Sequence, residues 1–496
     1  MTPEAALTAL LAHHRRIAAM EDAAGLLTWD QETQMPPKGA AQRAEARGAV
    51  AAALHALRTE PRLGEWIETA MIGDWPEEVR ADIREAARDH GRAVRVPDDL
   101  AAALARECSA AHVVWAKAKA DRRFADFAPA LSRVLELKRE EGAALADGGD
   151  PYDALLDDYE PGAKAADLDV LFGRLRAGLV ALLDRLLGAP VKAPRLSGAF
   201  PHAAQMALSR RVATACGYDW EAGRLDLAVH PFSSGTGGDV RITTKVNPEN
   251  PLEALYATFH ETGHALYEQG LPPERVGRPA GRHASMGVHE SQSRLWENHV
   301  GRAAATAPWL LAELHAAFGD VGVATPEALH AAVNALEPGF VRVFADEAQY
   351  DLHILMRFDL ERALIAGRLA VADLEEAWCD RFEADFGRRP PHAGLGVLQD
   401  VHWSEGLFGY FPTYTLGNLA AAALMAALRR QEPGLDAALG TGDFRPVLDW
   451  TRHRIHRPGR LRPAAVLLAA ACGAPVDEGP LLAHLTAKFG ALHGPA

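Results

Sequence analysis

Apolar residues recur three and four positions apart along most of this chain, the spacing of helices buried on one face. The stretches 38–57, 78–92, 97–120 and 126–146 are rich in Ala, Leu, Glu and Arg and poor in β-branched runs, which predicts long amphipathic helices through most of the first 190 residues. Gly, Pro and Ser gather from Gly188 to Pro201, where a loop or a junction between lobes is expected. From 224 to 247 the period shortens. LDLAVH and VRITTKV are β-prone runs separated by the glycine-rich SSGTGG, the pattern of a hairpin. Helical spacing then resumes to the C terminus, broken at Pro272/Pro273, Pro390/Pro391, Pro433 and Pro458. There is no internal repeat and no low-complexity tail.

Composition narrows the picture. The chain has 496 residues, 48% of them hydrophobic, enough to bury a large core without disulfides or a structural metal. A formal net charge of -14 lacks the basic footprint that nucleic acid or an anionic membrane demands, so the expected partner is a small or neutral molecule. Cys108, Cys216, Cys379 and Cys472 are scattered with no CxxC pair, which suits buried thiols in a reducing compartment. The opening MTPEAALTALLAHHRRIAAMEDAAG has no continuous apolar run behind a basic segment, and a cytoplasmic location with no membrane partner is expected.

The chemistry concentrates in LEALYATFHETGHALYEQG. Leu252, Leu255, Tyr256, Phe259, Gly263, Leu266 and Tyr267 form one stripe of a buried helix that Gly270 and Pro272 stop. His260 and His264 stand one turn apart within it, so their imidazoles can grip a single tetrahedral cation while Glu261 projects beside them. A zinc ion in such a site keeps one position for water and draws its pKa towards about 7. Glu261 can take that proton and pass it to a leaving amine. His283, His289, Glu290 and Glu297 lie downstream as candidate third ligands. A second helix opens near Gly287, with Val288, Leu295, Trp296 and His299 facing inward, and a helix-borne Glu290 completes a His2Glu site best. His289 is then read as an orienting or packing residue. Cobalt or manganese could occupy the same ligands as zinc.

These residues resemble one family, the carboxypeptidase Taq metallocarboxypeptidases. Beyond HETGH the chain carries HPF from His230, DVRIT from Asp239, HESQ from His289, VRVFAD from Val341 and GVLQDVHW from Gly396, in the family's order. LLTWDQETQMPP and FGYFPTYTLGNL extend the likeness to essentially the whole chain. The resemblance implies a mainly α, two-lobed, zincin-like fold with a deep groove, zinc at its floor, a small sheet or hairpin on one wall, and usually a homodimer. It also implies removal of single residues from peptide C termini with broad preference. On that reading 1–496 is a single peptidase domain: a helical lobe over roughly 1–200, the hairpin over 224–247, and the metal-site and C-terminal helices over 250–496.

A carboxypeptidase needs a donor for the terminal carboxylate, and an arginine fork binds both oxygens. Arg241 in the hairpin and Arg342 are the candidates. Arg342 is expected on a helix that also carries Asp346, and simple i,i+4 pairing between the two is the competing reading. For the oxyanion the resemblance puts Tyr410 first, by analogy with related helical zinc peptidases, and His402 second; Tyr414, in the same family-like segment as Tyr410, is expected to bind substrate. His230 is a groove-shaping residue. The competing activities are a zinc oligopeptidase cutting internal bonds of short peptides and a non-catalytic helical protein with a structural metal.

Overall fold

The computed structural model describes residues 1–188 and 193–493, so residues 189–192 of the expected junction loop lie outside the described part. Helices α1 (Pro3–Thr33), α2 (Ala40–Arg58), α3 (Pro61–Met71), α4 (Glu77–Arg95), α5 (Asp98–Asp121), α6 (Phe124–Ala146), α7 (Pro151–Leu156) and α8 (Ala165–Leu187) follow in succession. The four periodic stretches of the sequence are α2, α4, α5 and α6. Starts are set locally: Thr2 accepts the amide of Ala5 ahead of Pro3 in α1, and Asp150 accepts that of Tyr152 ahead of Pro151 in α7. Residues 193–201 form no regular element. Next come α9 (His202–Cys216), the strands β1 (Leu225–Leu227), β2 (Ser233–Thr236) and β3 (Asp239–Thr244), then α10 (Pro251–Gly270) and α11 (Met286–Arg294). Further helices are α12 (Ala307–Phe318), α13 (Pro326–Val333), α14 (Glu347–Ile365), α15 (Leu374–Phe386) and α16 (Pro412–Gln431).

The chain divides into two compact units, each assembled from three segments. The first comprises Met1–Val94, Pro194–Val333 and Ala420–Val476; the second comprises Arg95–Ala193, Asn334–Leu419 and Asp477–Ala496. In the first, one core joins Phe259, Leu266 and Tyr267 of α10 to Leu295 and Trp296, to Leu424 and Leu428 of α16, and to Phe444. In the second, Phe172 of α8 meets Phe358 of α14 edge to face at 5.1 Å. No helix among the described residues is long and apolar enough to cross a membrane.

The sheet departs from the expected hairpin. LDLAVH does not fold back on VRITTKV. Instead β2, drawn from SSGTGG itself, pairs antiparallel with β3, Thr236 facing Asp239 across a Gly237–Gly238 turn, while β1 joins the other edge of β3 in parallel. Backbone sterics explain the choice. Gly237 has φ 60°, the left-handed conformation that two-residue hairpin turns require. A Cβ on Gly235 would lie 1.9 Å from the Asp239 carbonyl oxygen. Glycine thus makes both the turn and the close strand contact, and residues 228–232 form the connection between β1 and β2. On its inner face β3 packs Val240 and Ile242 against Ala213, Tyr218 and Ala265, which fixes the sheet on α9 and α10.

Candidate metal centre

Asn250 caps α10 by accepting the Leu252 amide, with Pro251 in the first turn. The expected stripe is buried from Leu255 to Tyr267, Leu252 being half-buried, and His260 and His264 emerge at its partly exposed edge. Helix α11 begins where Ser285 accepts the Val288 amide, and Val288, Leu295, Trp296 and His299 are buried as their spacing predicts.

The two helices touch backbone to backbone at Gly263. A Cβ there would fall 2.6 Å from the Gln292 carbonyl oxygen and 2.7 Å from Ser293 Cα, distances no side chain tolerates. This contact brings Glu290 to the histidines. Gly263→Ala is therefore expected to push α11 outward, lower stability by about 1 to 3 kcal/mol and weaken divalent-metal binding. Thermal denaturation and a chelator competition would check it, and unchanged metal affinity would sink the argument.

Glu290 Oε2 lies 3.4 Å from His264 Nε2 and 3.8 Å from His260 Nε2. A tetrahedral ion with bonds of about 2.1 Å needs donor atoms roughly 3.4 Å apart, so the three residues fit a divalent metal. The remaining ring nitrogens are engaged elsewhere. His260 Nδ1 meets Glu297 Oε2 at 2.9 Å and His264 Nδ1 meets His289 Nδ1 at 2.6 Å, leaving both Nε2 atoms for the ion. Glu297 reaches His260 from a π-helical turn, Leu295–Gly301, that continues α11. Such widened turns re-aim side chains at functional sites.

Electrostatics separate three neighbouring carboxyls. Burial pushes Glu261 up to about 7, opposed by His260 and reinforced by Glu290 and Glu297. Burial acts on Glu297 too, but the His260 hydrogen bond and the Arg294 charge outweigh it and hold that group at about 2. Glu290 is likewise carried well below the usual carboxylate range, against burial, by Arg294 and His260. Glu290 and Glu297 are thus held as anions, while Glu261 alone of the three is pushed towards neutrality.

The other downstream candidates take supporting places. His289 donates or accepts at His264 and meets Glu268 Oε1 through Nε2 at 3.0 Å; His283 Nδ1 meets the same oxygen at 3.0 Å. Glu268 was not singled out by the sequence reading, although it stands one turn beyond His264 on α10. In the same unit, Arg241 of β3 donates Nε and Nη2 to the two oxygens of Asp239 at 2.7 and 2.8 Å and lies 4.2 Å over the ring of Trp29. His230 is exposed in the connection between β1 and β2.

The second unit holds the remaining predicted residues in a cluster of their own. Arg342 is not on a helix with Asp346. It opens a short 3-10 turn, Arg342–Phe344, and Asp346 caps α14 by accepting the amides of Ala348 and Gln349. The other oxygen, Asp346 Oδ2, accepts the Gln349 side-chain amide, so both oxygens are engaged within its own helix turn. Arg342 instead donates Nε and Nη2 to Asp400 Oδ1, at 3.0 and 2.9 Å, and Nη1 to the Tyr350 hydroxyl at 2.9 Å. Arg357 takes the other oxygen of Asp400, its Nε at 2.7 Å. His402 Nε2 and the Tyr414 hydroxyl are 3.1 Å apart, and burial pushes His402 down to about 3, so it is neutral at physiological pH. Tyr410 packs edge to face on Tyr159 at 4.9 Å and on Tyr414 at 5.3 Å. Asp400 and Arg357 escaped the sequence reading, although Asp400 sits inside the quoted GVLQDVHW.

The chain matches the family described as carboxypeptidase Taq (M32) metallopeptidase over residues 9–489. It is 43% identical over 511 residues to thermostable carboxypeptidase 1 of Thermus thermophilus, spanning 100% of both chains. It is 32% identical to carboxypeptidase 1 of Bacillus subtilis over 97% of each. Among solved structures it superposes on the M32 carboxypeptidase from Deinococcus radiodurans R1 with a TM-score of 0.95 and 36% identity, over 99% of this chain and 100% of that one. Trypanosoma cruzi metallocarboxypeptidase 1 follows with 0.94 and 33% over 98% and 99%. With its ordered motifs and these relatives, the chain belongs to the carboxypeptidase Taq (M32) family of metallopeptidases.

Proposed function

We propose that this protein is a zinc metallocarboxypeptidase that releases single residues from peptide C termini with broad preference. The observation that carries the reading is the convergence of His260 Nε2, His264 Nε2 and Glu290 Oε2, with Glu261 next to His260 on the same helix. When bound, zinc supplies a Lewis acid for the scissile carbonyl and acidifies a water. Two neutral imidazoles and a carboxylate suit zinc best, with cobalt or manganese as substitutes.

Glu261 takes the proton of the attacking water on a carboxylate oxygen as the new C–O bond forms. It then returns that proton to the departing amine nitrogen as the C–N bond breaks, so one group serves as base and then acid. Tyr410 is proposed to donate its hydroxyl hydrogen to the oxyanion, with His402 as the alternative donor, and Tyr414, 3.1 Å from His402 Nε2, is proposed to contact the substrate. Arg342 is proposed to receive the substrate's terminal carboxylate. Asp400 and Tyr350 occupy three of its five N–H donors, so its fork is held rigid while two donors remain. Arg241 and His230 are proposed to line the peptide path. The enzyme is further proposed to act as a homodimer in the cytoplasm.

The test compares peptide acids with their C-terminal amides. Wild type should cleave amides poorly, and Arg342→Ala should slow acids by about 30-fold or more, equivalent to roughly 2 to 5 kcal/mol, with little further effect on amides. Lys should rescue only in part. Equal slowing of acids and amides would assign Arg342 to scaffolding. Efficient wild-type cleavage of amides would favour the oligopeptidase reading and leave the metal site unchanged.

A further inference from the structure

Behind His264 lies a second group of ligand-type side chains, Glu268, His283 and His289, whose donor atoms also fall within 4.8 Å of one another. Two arrangements are open to such a group: a second metal site, or a hydrogen-bonded chain serving the first. The proton count decides between them. His289 Nδ1 is 2.6 Å from His264 Nδ1, so one of these nitrogens carries a hydrogen and the other presents a lone pair. His264 Nε2 faces Glu290. If that atom binds metal, a neutral His264 ring must carry its hydrogen on Nδ1 and donate it to His289. His289 then carries its own hydrogen on Nε2, which points at Glu268 Oε1, 3.0 Å away. His283 Nδ1 delivers a second hydrogen to the same oxygen at 3.0 Å. Every donor meets an acceptor, and the chain ends on a buried carboxylate that can only accept.

A second metal breaks this order. Bound to His289 Nε2, it would drive the hydrogen of that ring to Nδ1, where it would confront the Nδ1 hydrogen of His264. Two donors would then face each other across 2.6 Å. With neutral rings the two metal positions exclude one another.

We propose that Glu268 is a positioning residue for the metal centre: through His289 it holds His264 in the one tautomer and orientation that offers Nε2 to a metal. The inference rests on His264 being a metal ligand, as in the function proposed above. Its geometry follows from the helix pair alone. Glu268 stands four residues after His264 on α10 and His289 directly precedes Glu290 on α11, so the contact that assembles the ligands also assembles the group that orients one of them. Without Glu268, His289 could carry its hydrogen on Nδ1 and donate to His264, whose own hydrogen would then block Nε2.

The experiment titrates zinc into the metal-free full-length protein against a chelator of known affinity, together with thermal denaturation of the metal-free form. Wild type should bind one equivalent. Glu268→Ala should weaken zinc by about 10- to 100-fold, the usual effect of losing a ligand's hydrogen-bond partner. Glu268→Gln keeps the side-chain volume and one acceptor oxygen but can turn an amide donor towards His289; it should fold and still bind zinc about tenfold more weakly. His283→Ala leaves the chain to His264 intact and should stay within about threefold of wild type. A merely structural Glu268 would lower the melting temperature of the metal-free Gln variant and leave its zinc affinity unmoved, and that result overturns the proposal. A second tightly bound equivalent in wild type that disappears in Glu268→Gln overturns it in favour of a second metal site. Failure of the underlying metal reading looks different: His260→Ala would then bind zinc as wild type does.

Discussion

Glu261→Gln retains its metal and loses turnover by a factor on the order of 10² to 10⁴. The substitution keeps the size and polarity of the side chain and none of its basicity. His260, His264 and Glu290 are untouched, so metal content measured by elemental analysis should equal that of wild type while kcat collapses. The expectation depends on Glu261 being buried yet close to neutrality, at about 7, whereas Glu290 and Glu297 are pinned as anions by Arg294 and the histidines. A Gln variant with near-native turnover would remove Glu261 from the chemistry and turn attention to a structural metal.

Asp400→Asn should strongly destabilise the second unit. The carboxylate lies between Arg342 on one oxygen and Arg357 on the other, with both guanidiniums almost wholly buried. Replacing it with an amide leaves two buried positive charges without their counter-ion, a loss of about 3 to 5 kcal/mol, to be read from denaturant midpoints at constant slope. The pH dependence has a definite sign. Burial would raise the Asp400 pKa, but Arg357 and Arg342 overcome it and hold the group far below the usual carboxylate range. A depressed folded-state pKa gives stability that is fully present above the unfolded value of about 3.9 and fades as pH falls below it. Wild type should therefore lose part of its advantage over Asp400→Asn in strong acid. A constant gap between the two proteins down to low pH would mean that Asp400 acts through packing instead of charge.

What could be read from the sequence was what repeats locally. Helices α2, α4, α5 and α6 announce themselves because each alternates apolar and polar positions over several turns, and His260, Glu261 and His264 because a four-residue spacing places two imidazoles on one face. Glu290 carried a weaker signal, one of four downstream candidates favoured for its place on the next predicted helix, and the structure brings its Oε2 within 3.4 Å of His264 Nε2. The sheet was legible as β structure but not in its pairing, since a strand made of Ser, Gly and Thr carries no side-chain signal and is defined by backbone contacts. Arg342 shows the limit most clearly. Its partner on the i,i+4 rule, Asp346, is four residues away, whereas its actual partner, Asp400, is 58 residues on, and no periodicity links them. The π turn that brings Glu297 to His260 is equally silent, because one widened turn leaves the apolar spacing of Leu295, Trp296 and His299 intact.

The threading of each unit from three separate segments bears on how the enzyme comes into being. The core around Phe259 and Trp296 includes Leu424, Leu428 and Phe444, all from the late segment Ala420–Val476. On the ribosome, a nascent chain that already displays the complete HETGH helix and Glu290 still lacks the segment from Ala420 to Val476 that finishes the surrounding unit. Pairing residues so distant in sequence is slow and awaits the late segments. If the candidate ligands need that closed core to hold their geometry, capture of an ion follows synthesis of the Ala420–Val476 segment, and a chain terminated before it exposes an open core.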